Sequence, residues 1–110
     1  MEKERLAEYL EQYHRGASNA ATSRELEVAF SIKGIQVRQM VNALRRKGVP
    51  VASSSDGYYF AATEQEVRST IAHLTRRISG IAAAIRGLNS FLEQPDAAQT
   101  RLPLDGGDTP

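Results

Sequence analysis

With 110 residues, 41% of them hydrophobic, the chain is long enough for one domain with a small core and an appendage. It has no cysteine, which removes disulfides, thiol nucleophiles and cysteine zinc sites. The net charge of +1 does not announce a polyanionic partner, no apolar run approaches a membrane span, and the charged start (Met1, Glu2, Lys3, Glu4, Arg5) is unlike a signal peptide, so a soluble, cytoplasmic protein with no membrane contact is expected. Residues 2–15 read as a helix, because Leu6, Tyr9, Leu10 and Tyr13 fall at i, i+3, i+4 and i+7 on one face and the remaining positions are mostly charged. Residues 16–21 form a loop with room for a short strand at its end.

Thr22 and Glu25 have the spacing of a capping box and open a short helix with Leu26 and Phe30 one turn apart. Residues 31–34 break it. A second helix follows over residues 35–47, with Val37, Met40, Val41 and Leu44 as its buried stripe. Gly34 tolerates close approach of the two helices, and Gly48 supplies the left-handed residue that closes the second. Residues 49–53 and 58–62 then flank the turn Ser54, Ser55, Asp56, Gly57, which predicts a β-hairpin. A helix, a turn, a longer basic helix and a hairpin, in that order, make a winged helix-turn-helix, a small fold for gripping duplex DNA. The fold class is therefore mainly α with a small β-hairpin wing (α+β).

Charge and helix projection point the same way. Residues 22–48 hold Arg24, Lys33, Arg38, Arg45, Arg46 and Lys47 against Glu25 and Glu27. Local charge, more than the sum over the chain, governs what a surface binds. Projected at about 100° per residue, the face opposite the buried stripe carries Ile35, Gln39, Asn42 and Arg46, flanked by Gln36, Arg38 and Ala43. Gln, Asn and Arg read base edges bidentately, and an exposed Ile35 suits a thymine methyl.

Thr63 and Glu66 form a second capping box, opening a helix that runs to about residue 94, where Pro95 stops it. Along it Val67, Ile71, Leu74, Ile78, Ile81, Ile85, Leu88 and Leu92 recur with alternating steps of four and three, an unbroken heptad seam. A helix of 30 residues is roughly 45 Å long, more than a small winged domain can cover, so a second copy of the same helix is the simplest partner. Ala82 and Ala84 widen the seam, and Gly80, Ala83, Ala84 and Gly87 put small residues at mid-helix. Few charged pairs flank it, so neither parallel nor antiparallel pairing is selected, nor two strands over a four-helix arrangement that includes residues 2–15. Beyond it, residues 94–110 carry three prolines, two glycines and a net acidic balance (Asp96, Asp105, Asp108 against Arg101) and are expected to be disordered. The predicted organisation is a winged domain over 1–62, a dimerisation helix over 63–94 and a tail over 95–110.

Nothing resembles a catalytic site. His14 and His73 lie on separate predicted helices without ligand spacing to a second histidine or a carboxylate cluster, and no glycine-rich phosphate loop or serine elbow is present. No enzyme activity, metal or cofactor is expected.

The stretch from Val37 to Ser53 (VRQMVNALRRKGVPVAS), with Asp56 to Ala61 (DGYYFA), resembles the winged helix-turn-helix of the biotin-operon repressor type. It is also similar to small phage and prophage winged-helix proteins with a helical extension after the wing. The resemblance covers residues 20–62 and, more loosely, the following helix. It implies that Lys33, Gln36, Gln39 and Asn42 face the DNA groove and that Arg38, Arg45 and Arg46 lie toward phosphates. It places Ser53, Ser54 and Ser55 at the wing and makes Tyr58 and Phe60 packing residues. One departure is the wing tip, which carries Asp56 where Lys or Arg is usual. Modest affinity per protomer follows, with salt dependence arising from the helix and two linked half-sites needed for useful affinity. The function implied is sequence-dependent duplex DNA binding as a dimer, in a bacterial or phage transcription regulator or replication accessory. The alternative is a module that docks a partner protein, since winged helices serve that role too.

Overall fold

Capping decides where the helices begin. At the start of the helix that follows Thr22 the Glu25 amide donates to Thr22 Oγ1 at 3.1 Å and the Thr22 amide donates to Glu25 Oε1 at 2.8 Å. The same reciprocal pair recurs at Thr63 and Glu66, at 3.2 and 3.3 Å. Each box satisfies two amides that a helix start leaves open. The computed structural model describes residues 2–95. Its elements are α1 (Glu2–Tyr13), α2 (Ser23–Phe30), α3 (Gly34–Arg46), β1 (Val51–Ser54), β2 (Gly57–Phe60) and α4 (Glu64–Glu93), with one 3-10 turn at Ala17–Asn19. The protein is thus mainly helical with a two-stranded antiparallel hairpin and a long C-terminal helix, an α+β arrangement compatible with a winged helix. Residues 96–110, expected to be a disordered tail, lie outside the described residues.

Several boundaries differ from the sequence reading, because of where backbone groups find their hydrogen-bond partners. The first helix stops at Tyr13 rather than Arg15, since the His14 carbonyl accepts from the Phe60 amide and the Gly16 amide donates to the Phe60 carbonyl, both at 2.8 Å. Val49 is not in a strand: its amide returns to the Leu44 carbonyl at 3.0 Å and helps close α3, beside Gly48 at φ +88°. The hairpin turn is tighter than a four-residue loop, because Ser54 pairs with Gly57 and only Ser55 and Asp56 span the gap. α2 ends after Phe30, as the sequence predicts, with Ser31 as its C-cap in the left-handed region (φ 55°), where glycine is more usual.

β2 is paired along both edges. β1 lies on one side in the register Val51↔Phe60 to Ser54↔Gly57. On the other side Ala21 and Tyr58 exchange both amide hydrogen bonds at 2.8 Å. A hairpin alone is marginal in water, and this extra edge from the α1–α2 connection fixes it to the helices.

The core joins all three short helices. Leu6 and Leu10 of α1, Leu26 of α2 and Val37, Val41 and Leu44 of α3 are essentially fully buried with Ala21 and Val51, while Phe30, Ile32 and Met40 close its margin. Each buried leucine contributes roughly 1.5–3 kcal/mol relative to exposure. At Gly34 a Cβ would lie 3.1 Å from the Glu27 carboxylate, so that side chain would have to give slightly. A second small cluster, Ala52, Tyr59 and Ala61, packs against Ala17, Ala20 and Val67 of α4.

Residues 1–73 form one compact unit and a second begins at Leu74, and Val67 in the first turns of α4 packs on the hairpin cluster. Thr70 is buried, its hydroxyl accepting from the Ser53 amide at 3.2 Å. Glu66 accepts from the amides of Ala17 at 2.9 Å and Ala62 at 2.7 Å besides its cap bond to Thr63. These donors, Ala17 first, hold its carboxyl below the ordinary glutamate range. A depressed folded pKa stabilises the fold above the unfolded value near pH 4.3, and that contribution is lost as pH falls through the folded value. Glu66→Gln is therefore expected to lower the unfolding temperature at pH 7, with the gap to the parent closing as the pH is taken down toward 3. Thermal unfolding followed by circular dichroism across that range checks it, and a gap independent of pH would contradict it.

Candidate nucleic-acid interface

The rotation of α3 is set by what it buries. With Val37, Val41 and Leu44 held in the core, Ile35, Gln36, Arg38, Gln39, Asn42 and Arg46 are all exposed. Gln39, Asn42 and Arg46 stand at i, i+3 and i+7, about one turn apart along the solvent face. No acidic residue occurs in α3. Side chains that offer paired donors and acceptors thus share one face with positive charge and a single exposed isoleucine.

The bases of the region divide into committed and available groups. Lys47 pairs with Glu4 at 3.3 Å and Arg24 with Glu27 at 3.8 Å. Arg45 is half-buried, its Nε donating to the Val51 carbonyl at 2.7 Å and its Nη2 to Ser53 Oγ at 3.1 Å. The sequence placed Arg45 toward phosphates; here its guanidinium ties the end of α3 to β1, which fixes the hairpin relative to the helix. Among the described residues no ion pair joins Lys33, Arg38 or Arg46 to a carboxylate, and all three are exposed. Gln36, expected to face a groove, caps the helix start: its Oε1 accepts from the Lys33 amide at 2.9 Å. Its amide group keeps two donors for other use.

The hairpin tip offers hydroxyls and no base. Ser54, Ser55 and Asp56 are exposed, and Ser54 Oγ accepts from the Asp56 amide at 3.1 Å, which stiffens the turn. Ser53 is half-buried between Arg45 and Thr70 and so belongs to the framework. Tyr58 and Phe60 pack against the core margin.

Along α4 the heptad seam begins inside the first unit. Val67 packs on the hairpin cluster. From there on, Ile71, Ile78, Ile81, Ile85, Leu88 and Leu92 are 54–69% exposed, and Leu74 is half-buried. Between Val67 and Leu92 the charged side chains are Arg68, Arg76, Arg77 and Arg86, with no carboxylate.

Two framework residues have roles that the sequence shows only in part or not at all. Thr70 looks like a polar flank of the seam, yet it is buried under β1. Glu66 is legible as a cap, but its bond to Ala17, 49 residues away, is not. Among the described residues no helix is long and apolar enough to cross a membrane, and no group of three or more histidine or carboxylate side chains is placed to hold a metal ion. Comparison of the chain with protein-family models, with curated proteins and with solved structures finds no match.

Proposed function

We propose that this chain is a winged helix-turn-helix protein that binds duplex DNA in a sequence-dependent way as a dimer, in the role of a transcription regulator or replication accessory of bacterial or phage type. The observation that carries the reading is the exposed, acid-free face of α3. Gln39 and Asn42 supply base-edge contacts in the major groove, and Lys33, Arg38 and Arg46 supply phosphate contacts. Ser54 and Ser55 bond the flanking backbone through hydroxyls. The acidic tip releases few counterions, so a second copy joined through α4 raises affinity by presenting a second half-site.

The test is a fluorescence anisotropy titration of the full chain with a labelled random duplex. Binding is expected in the micromolar range at low salt. Three available bases on each of two chains give a slope of about −5 in log K against log salt. No binding at tens of micromolar would overturn the reading.

A second reading, docking of a partner protein, is favoured by the base-free hairpin tip and the exposed apolar row on α4. It predicts a partner whose capture survives alanine at Lys33, Gln39 and Arg46. DNA binding abolished by the same three substitutions contradicts it.

A further inference from the structure

We infer that the seam on α4 takes a second copy of this chain in a parallel, in-register, two-stranded pairing that starts at Ile71. The inference rests on the dimeric part of the proposed function and supplies its partner geometry. A three-four spacing sustained over residues 71–92 is the period at which one helix faces another along its length. Burying six exposed seam residues at roughly 100 Å² each gives on the order of 600 Å² per chain, near the ~800 Å² per partner of a standard interface once Ala82, Ala84 and Phe91 beside them are added.

The side-chain types select two strands. The a positions are Ile71, Ile78, Ile85 and Leu92, and the d positions are Leu74, Ile81 and Leu88. β-branched residues at a with mostly leucine at d favour a pair over a trimer or tetramer. Charge permits self-pairing, because the one charged residue flanking layers 71–92 at e or g, Arg77, faces Ala82 of the second copy in a parallel register.

Orientation follows from parity. Val67 would be an eighth seam residue, but it packs on Ala52, Tyr59 and Ala61, and its neighbour Thr70 is bonded to Ser53. That leaves seven seam residues, starting and ending at an a position. Parallel strands pair a with a and d with d, so all seven layers are filled. Antiparallel strands pair a with d, and with four a positions and three d positions one large apolar side chain per chain, Ile71 or Leu92, is left without a layer. Only the parallel register covers the whole row.

Single-cysteine variants of the full chain, which has no cysteine of its own, decide the matter. Leu92→Cys and Ile71→Cys, each confirmed as helical by circular dichroism, are oxidised mildly and run without reductant. In the parallel pair like a positions are close enough for a disulfide, and both variants should form covalent dimers. In either antiparallel register the like positions lie about 25 Å or more apart, and crosslinks appear only in mixtures such as Ile71→Cys with Leu88→Cys; that result overturns the arrangement. Sedimentation should show a wild-type dimer, and Ile78→Glu with Ile85→Glu should weaken it at least about 100-fold, because two charges per chain then enter an apolar seam. A wild-type monomer at tens of micromolar overturns the choice of occupant, and a trimer or tetramer overturns the strand number. These readouts need no DNA: loss of duplex binding with dimer and crosslinks intact counts against the proposed function alone.

Discussion

Alanine at both Gln39 and Asn42 is expected to lower affinity for a preferred duplex by about 30-fold or more, each bidentate base contact being worth ~1–3 kcal/mol. The preferred duplex comes from selection in a random pool with the wild-type chain. Both side chains project from the exposed side of α3, away from Val37 and Val41, so truncation leaves the core untouched and the unfolding temperature near that of the parent. Binding to random duplex and its salt slope should hardly move, since these residues are uncharged. Alanine at Arg38 and Arg46 should do the opposite. It weakens selected and random duplexes alike and reduces the salt slope by about one for each phosphate left without its base. Equal weakening on both duplexes for the Gln39/Asn42 variant would remove base readout from the reading and leave a charge-driven surface.

Gly57→Ala is expected to destabilise the 1–73 unit by about 3 kcal/mol or more. Gly57 has φ +128°, a conformation that L side chains rarely adopt, and a Cβ there would overlap the Ala21 carbonyl, lying 2.6 Å from its carbon. The same carbonyl accepts from the Tyr58 amide, so relief of the clash opens the edge that fixes the hairpin to the helices. For a unit of this size the total stability is roughly 4–11 kcal/mol, and each kcal/mol moves the midpoint by about 4–8 °C. A fall of about 15 °C or more in thermal unfolding is the expected result. Gly48→Ala provides the comparison: its φ is +88° but nothing lies within 4 Å of an added Cβ, so only the backbone penalty of about 1 kcal/mol applies. If the two variants unfold at the same temperature, the close approach of Ala21 to Gly57 does not hold.

Local signals carried most of the element reading. The two capping boxes at Thr22 and Thr63 involve residues three apart, and both form as the sequence predicts. The buried stripe of α3 follows from a period of 3.6 residues, which is why Gln39, Asn42 and Arg46 could be assigned to one solvent face before any packing was known. The long helix from Glu64 to Glu93 was legible from its cap, its heptads and Pro95. What escaped were interactions that close over distance. Arg45 resembles its neighbour Arg46 in sequence, and only the position of β1 turns one guanidinium onto the Val51 carbonyl while the other stays in solvent. A local exception is Ser31, whose left-handed conformation its residue type does not advertise.

The sequence by itself determined the kinds of elements, their order, the face of α3 that meets solvent and the heptad period of α4, because each depends on residues within a few turns of one another. Only the tertiary structure decided how the hairpin is held and where the exposed apolar row of α4 starts. Backbone groups of residues 14–21 had to find β2, Glu66 had to reach Ala17, and Val67 and Thr70 had to be claimed by the hairpin before the remaining seam could be counted as seven. Those choices are made by hydrogen-bond satisfaction and packing between segments far apart in the chain, which no local pattern encodes.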